Sequence, residues 1–562
     1  MGISYKHQII VVGAGLAGLR AALEAKAAGL DVAVISRVQP VRSHSIAAQG
    51  GINAALGNAE GGRDDNWEKH TFDTVKGSDY LADQDAVEIM TKEAPGIVYE
   101  MEHWGCPFSR TAEGLIAQRP FGGAEFPRTC YASDITGHAL LHTMYERSVK
   151  EEIKVYEEYL LLSIVKNADS CAGVIALNIK NGEIEAFEAD AVIMATGGCG
   201  RIYNKSTNAL INTGSGMAAV YLTAGVPLKD LEFVQFHPTS LYGTNILITE
   251  GARGEGGYLY NCKGERFVKE LAPRDIVARS IQTEINEGRG YDNAYVLLDL
   301  RHLGKKKIIE RLPGIRDICI HFAGIDPIDA PIPIQPGQHY SMGGIDTDAK
   351  GATSRPGLYA AGECACVSVH GGNRLGGNSL LDTIVFGKLS GRFASEYVKT
   401  KKKSGQGQAL SLHLQEIKSK IHRLENSTGK EKPTDVRNQL KETLTENAGI
   451  FREKSKLQKG LAKVKELKER YKNIHIQNKN KKFNLDLVRN LELEGKLELA
   501  EVIVAGALNR EESRGSHFRT DFPERNDEKW LKHTIASFVN GTVKIGYKPV
   551  TITQFKPQAR TY

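Results

Sequence analysis

Six residues, Gly13-Ala14-Gly15-Leu16-Ala17-Gly18, constrain the fold of this chain most, because they stand between an apolar strand-like run at 8–12 and a helix-like run at 19–28. In that setting Gly13 allows the tight turn, Gly15 lets backbone approach a pyrophosphate, and Gly18 lets helix and strand pack closely. The amide end of the helix then holds the phosphates. The pattern predicts a Rossmann-like α/β domain with Gly13, Ala14, Gly15 and Gly18 against a dinucleotide. A second strand at 32–35 ends in Ser36-Arg37, where an acidic residue usually meets the adenosine ribose. Ser36 can accept that contact, but the missing acid argues against a simple NAD site.

With 562 residues the chain exceeds one ordinary core. The late runs 190–198 and 357–363 each read as a buried strand ending in glycine. Strand ends aimed at one nucleotide from distant sequence predict a discontinuous domain, 1–238 and 346–404, interrupted by an α+β capping insert at 239–345 that forms a substrate lid. Charged helical periodicity predicts a helical domain over 405–508, followed by a small mixed C-terminal domain over 509–562. Gly214-Ser215-Gly216 imitates a second fingerprint, but polar residues 204–208 stand where its strand should be. The segment is expected to be a glycine-started helix against the first cofactor.

The 73 basic and 67 acidic residues leave a formal charge of +6, with much of the excess after residue 399, as in Lys399-Thr400-Lys401-Lys402-Lys403. That distribution is too diffuse for a nucleic-acid footprint. No apolar run reaches the roughly 18–20 residues that span a bilayer, so membrane association is expected through a partner. The first strand begins within about eight residues, which leaves no room for a leader ahead of the fold. The eight cysteines lack zinc or iron–sulfur spacing, and no metal site is expected. Cys364-Ala365-Cys366 is too tight for a redox pair and reads as packing beside the cofactor.

Polar residues suited to a small anion recur in glycine-rich segments: His237, Thr249, Glu250, Arg253, Arg274, His339 and Arg374. Glycine clears space and arginine grips a carboxylate bidentately, so two such groups point to two carboxylates. Taken singly, His237 can be a turn residue, His339 a core residue, and Arg253 and Arg274 ion-pair partners of Glu250 and Asp275. Their co-occurrence in loop-like segments is the stronger signal. On chemistry alone, Glu250 would be the acid–base group.

After the fingerprint comes Arg42-Ser43-His44-Ser45-Ile46-Ala47-Ala48-Gln49-Gly50-Gly51, with a histidine where a flavin ring would lie. Together with Asp73-Thr74-Val75-Lys76-Gly77-Ser78-Asp79, Arg119-Pro120-Phe121-Gly122-Gly123, His237-Pro238-Thr239, Thr249-Glu250-Gly251, His339-Tyr340, Asn373-Arg374-Leu375-Gly376-Gly377-Asn378-Ser379 and the end Pro557-Gln558-Ala559-Arg560-Thr561-Tyr562, it resembles the flavoprotein subunit of succinate dehydrogenase and fumarate reductase. The resemblance runs over nearly the whole length.

The resemblance implies FAD joined covalently to His44 through the 8α-methyl of its ring. The implied cofactor contacts are Gly13, Ala14, Gly15, Gly18, Ser36, Arg37, Ser43, His44, Gln49, Gly50, Gly51, Ser215, Glu363, Ser379 and Leu380. It assigns dicarboxylate binding to His237, Thr249, His339 and Arg374, with Phe121 packed near substrate and flavin, and proton transfer to Arg274. In that scheme Arg374 and His339 hold one end of the substrate, and His237 with Thr249 the other. An arginine base is unexpected, because its pKa exceeds roughly 12; a relay of Arg274, Glu250 and Arg253 reconciles it. The implied partners are an iron–sulfur subunit and, through it, membrane anchor subunits and quinone, which would hold the chain peripherally on the cytoplasmic face of the cell membrane.

Two departures accompany the resemblance. Ser215 stands where many relatives carry aspartate, and the stretch between Phe267 and Arg274 is shorter than in some. Gln49 resembles succinate-oxidising members, where some fumarate reductases have glutamate. Fumarate reduction is the nearest alternative. L-aspartate oxidase is disfavoured because its flavin is not covalently attached, a soluble haem-fed fumarate reductase because haem attachment sequences are lacking, and a non-catalytic assembly subunit because the clamp residues are all present.

Overall fold

The structure is a computed structural model, and it describes residues 4–401 and 407–560. Lys402 and Lys403 of the basic run, and Thr561 and Tyr562 of the terminal motif, lie outside the described residues.

The strand Ser4–Val12 ends in the buried run Ile9, Ile10, Val11 and Val12. It pairs in parallel with Val32–Ser36 on one side and Ile184–Met194 on the other. The last residues of Ile184–Met194 pair in parallel with Leu358–Ala360, and its first half pairs antiparallel with Cys171–Asn178. Two late segments thus deliver strand ends to the same sheet edge, Met194 beside Val12 and Ala360 beside Met194. At that edge Gly13 has φ of +112°, and a Cβ there would stand 2.1 Å from the Ala195 carbonyl oxygen. Only glycine makes the turn. The helix Leu16–Ala27 follows directly.

The insert is a four-stranded antiparallel sheet, in the order Val234–Leu241, Ile332–Ser341, Val296–Asp299 and Tyr258–Tyr260. It has its own apolar cluster, in which Leu241, Ile248, Leu259, Val277, Ile281, Leu298 and Ile334 are fully buried. Its first strand starts ahead of the expected boundary at 239. His237 therefore lies inside a ladder, because a proline is tolerated where the pairing shifts register between His237 and Ser240.

Four helices, Gly407–Glu425, Pro433–Asn447, Lys454–Tyr471 and Leu485–Asn509, fill the expected helical stretch. Val436, Leu440, Leu457, Val464, Leu497 and Val504 belong to the same apolar cluster as Ile9 and Val192, so these helices share the nucleotide domain's core.

The last fifty residues also join an existing layer. The hairpin Lys532–Val539 and Thr542–Pro549 extends a sheet through Leu228–Lys229. Buried arginines fasten this region: Arg510 Nε donates to Glu232 at 2.9 Å, and Arg514 Nε to Glu512 at 2.8 Å. No helix among the described residues is long and apolar enough to cross a membrane.

Candidate functional site

Two clefts meet at the edge where the parallel strands end. The first is lined by Gly13, Ala14, Gly15, Ser36, Arg37, Ser43, Asn212 and Ser215. The second is lined by Gln49, Gly50, Gly51, Phe121, His237, Thr249, Glu250, Arg274, His339, Arg374, Ser379 and Leu380. They share His44, Ser45, Glu363 and Thr383. Of the residues given a cofactor, substrate or proton-transfer role from sequence, Gly18 and Arg253 line neither. Gly18 packs the helix onto the turn, where a Cβ would stand 1.9 Å from the Gly13 carbonyl oxygen.

The first cleft has the features of a dinucleotide site. Backbone at Gly13 to Gly15 leads into a helix N-terminus, and Ser43 Oγ and Asn212 Nδ2 are buried without a hydrogen-bond partner. Such orphaned polar groups are costly unless a ligand satisfies them. Ser215 opens the short helix Ser215–Ala219 against this cleft, so the imitation fingerprint is part of the first site. Ser36 Oγ donates to the Val38 carbonyl at 2.5 Å, which leaves its lone pairs free. Arg37 turns to Glu492 of the helical region, 3.3 Å away.

At the junction, His44 begins the turn His44–Ala47. Burial above all, with the Arg201 charge, lowers its pKa to about 4, so the ring is neutral. The Ala209 N–H donates to Nδ1 at 3.2 Å, and Asn208 Nδ2 lies 3.3 Å from Nε2. Glu363 faces the same junction. Burial pushes it up to about 7, although the Ser341 N–H donates to its carboxylate at 3.0 Å.

The second cleft concentrates hydrogen-bond donors. Arg374 lies over the Tyr340 ring at 4.4 Å, and its Nε is buried without a partner. Burial and then the Arg274 charge push Arg374 down to about 9. A guanidinium so placed lacks an anion. His237 and His339 are held neutral, both chiefly by burial. Thr239 N–H donates to His237 Nδ1 at 3.2 Å, and Thr207 Oγ1 pairs with His339 Nδ1 at 2.8 Å. Thr249 caps the turn Glu250–Gly254, its Oγ1 accepting the Gly251 N–H, which leaves the hydroxyl proton to donate. Phe121 wedges between Gly50 and Gly376, where a Cβ on either would stand within 2.9 Å of the ring.

The two histidines assigned to opposite ends of the substrate are neighbours in the second cleft. Their strands are hydrogen-bonded neighbours, with His237 opposite Gly337, and the rings lie edge to face 4.8 Å apart. The expected ion pairs divide differently. Arg274 Nε donates to Glu250 Oε2 at 2.6 Å, while Asp275 pairs instead with Arg279 and Arg560. The other Glu250 oxygen accepts the Gly122 N–H at 2.8 Å. Burial alone would raise the Glu250 pKa, but Arg274 and Arg253 hold it below the ordinary value. Arg253 does not touch Glu250: its Nη1 donates to the Glu270 carbonyl, and its Nε and Nη2 have no partner. Its link in the relay is electrostatic.

Sequence reasoning gave no individual role to Gln235, Thr207 or Asn208. The polar run 204–208 served only to exclude a strand, yet Thr207 holds His339, and Asn208 Nδ2 donates to the His339 carbonyl at 2.7 Å.

The FAD binding domain family model matches residues 8–380, and that of the fumarate reductase flavoprotein C-terminus matches residues 437–562. The chain is 45% identical to a succinate dehydrogenase flavoprotein subunit of Rickettsia bellii, over 99% of this chain and 97% of that one. It is 44% identical to a fumarate reductase flavoprotein subunit of Mycobacterium tuberculosis, over 99% of each. Among solved structures, an E. coli quinol fumarate reductase variant superimposes with a TM-score of 0.95 at 39% identity, covering 100% of this chain and 99% of that one.

Proposed function

The chain belongs to the flavoprotein-subunit family of succinate dehydrogenase and fumarate reductase, and from that premise we propose that it oxidises succinate to fumarate with FAD bound covalently through His44. The observation that carries the proposal is the shared wall of the two clefts: His44 and Glu363 face both the dinucleotide cradle and the donor-lined cleft. FAD supplies the hydride acceptor when bound. Gly13, Ala14, Gly15, Ser36, Arg37, Ser43 and Ser215 would hold its nucleotide part. Gln49, Gly50, Gly51, Glu363, Ser379 and Leu380 would hold the part nearer the second cleft. Covalent attachment is supported by the neutral His44 ring at the junction: Nδ1 accepts the Ala209 N–H, and Nε2, which meets Asn208 Nδ2 at 3.3 Å, would exchange that contact and its proton for the bond.

Succinate loses one hydride and one proton from adjacent carbons, so both carboxylates must be fixed while those carbons are aligned. Arg374, His339, His237 and Thr249 supply the donors, and they also stabilise charge that grows on a carboxylate as the proton leaves. Arg274 gives a proton to Glu250, which its Nε already meets, as it takes the proton from the substrate carbon; Arg253 tunes the pair through its charge. A persistent neutral arginine is thereby avoided.

Electrons then pass to an iron–sulfur subunit, and through membrane anchor subunits to quinone, with this chain held peripherally on the cytoplasmic face of the membrane. Family membership supports that arrangement. Fumarate reduction by the same residues is the second reading, favoured by the near-equal identity to relatives of both names. Gln49 favours oxidation. Succinate-dependent dye reduction, compared with fumarate-dependent oxidation of a reduced dye, tests the direction: a larger kcat/KM for succinate is expected, and the reverse ratio would reassign the chain.

A further inference from the structure

We propose that Gln235 is a positioning residue that holds Arg274 and Arg374 at a fixed separation, so that one handles the proton while the other grips a carboxylate. The inference rests on the dicarboxylate reading above. Gln235 is fully buried in the strand Val234–Leu241, two residues before His237. Its Oε1 accepts from Arg274 Nη1 at 3.2 Å and from Arg374 Nη2 at 3.1 Å. Its Nε2 donates to Asn373 Oδ1 at 2.9 Å and to the Arg374 carbonyl at 2.8 Å.

A carboxamide offers two lone pairs and two N–H groups, and all four are used here. The amide orientation is fixed, because a flip would turn its NH2 against two guanidinium groups. Chemistry explains why the bridge is neutral. Two buried guanidinium groups repel each other, and each needs an acceptor. A carboxylate at this point would satisfy both and cancel the charge that a dicarboxylate must find. An apolar side chain would leave Arg274 Nη1 and Arg374 Nη2 without an acceptor. Glutamine supplies the acceptor and adds no charge, so the attraction for an anion is retained. Glu250, on the other side of Arg274, already takes Nε, and the Gln235 bond to Nη1 fixes the plane of the guanidinium.

The test uses the full-length, flavin-loaded protein and three readouts per bound flavin: dissociation of malonate, and kcat and KM for succinate-dependent dye reduction. In Gln235→Glu, the new carboxylate competes for both arginines, and the malonate dissociation constant and KM rise at least about tenfold. In Gln235→Met, which has the length but no acceptor, both arginines stay charged; kcat falls at least about tenfold while KM changes less than about threefold. A merely structural residue would lower flavin content or thermal stability in both variants and leave loaded molecules with parental kcat, KM and malonate affinity. That result would overturn the inference, as would equal effects of Glu and Met on KM and kcat. If Gln235→Glu does not fold, a parental kcat in Gln235→Met is enough to overturn it. A parent that neither binds malonate nor oxidises succinate would instead remove the dicarboxylate reading itself.

Discussion

Arg274 Nε donates to Glu250 Oε2 across 2.6 Å, between side chains that are only 7% and 1% exposed. A buried pair of this kind is costly to assemble and gives little net stability, so its value lies in what the charges do. The Gly122 N–H on the second Glu250 oxygen and the Gln235 oxygen on Arg274 leave little freedom in either group.

Arg274→Lys therefore lowers turnover by about 10²- to 10⁴-fold although charge is conserved. A lysine ammonium lacks the planar fork that meets Glu250 and Gln235 at once. Flavin content is unchanged, because Arg274 lines the second cleft and not the dinucleotide cradle. Succinate-dependent dye reduction per bound flavin measures this.

The lowered pKa of Arg374 sets a pH dependence. A bound dicarboxylate supplies the missing counter-charge and keeps the guanidinium protonated, so binding takes up a proton wherever free Arg374 has lost one. Through this group, malonate affinity is constant below pH 9 and falls by up to about tenfold per pH unit above it. Calorimetric titrations on either side of pH 9 measure the slope and the proton uptake together.

His533 ties the terminal hairpin to the nucleotide domain through Asp230 at 2.6 Å and Asp83 at 3.1 Å. Burial opposes its charge, but the two carboxylates hold its pKa at about 9. That is above the unfolded value of about 6.5, so its stabilisation is complete below that pH and is lost as pH rises through 9. His533→Ala leaves both carboxylates without this partner and costs about 3–5 kcal/mol. Denaturant unfolding at acid and alkaline pH checks both statements: the difference between parent and variant shrinks at high pH.

The nucleotide half of this fold is legible in sequence because each of its signals is local. A strand, three spaced glycines and a helix identify the first turn, and an apolar run ending in glycine identifies each later strand. Packing between distant segments is not legible in the same way. The strand carrying His237 begins at Val234 because it pairs with the strand of His339, a ladder that crosses a hundred residues and includes a register shift. The same pairing sets the two histidines side by side. Gln235 is visible as a polar residue near a histidine, but its four hydrogen bonds depend on Arg274, Asn373 and Arg374 arriving from other segments. Arg510 and Arg514 carry no periodic signal, and their partners Glu232 and Asp79 lie far earlier in the chain.

The central claim is a flavin tethered at the junction of the two clefts, serving succinate oxidation. Denaturing gel electrophoresis read by flavin fluorescence, on protein with demonstrated succinate-dependent dye reduction, tests it most directly. A fluorescent band at the polypeptide's position in the parent, absent in His44→Ser, is the predicted result. A parent band without fluorescence, in protein that carries flavin before denaturation, would contradict the tether.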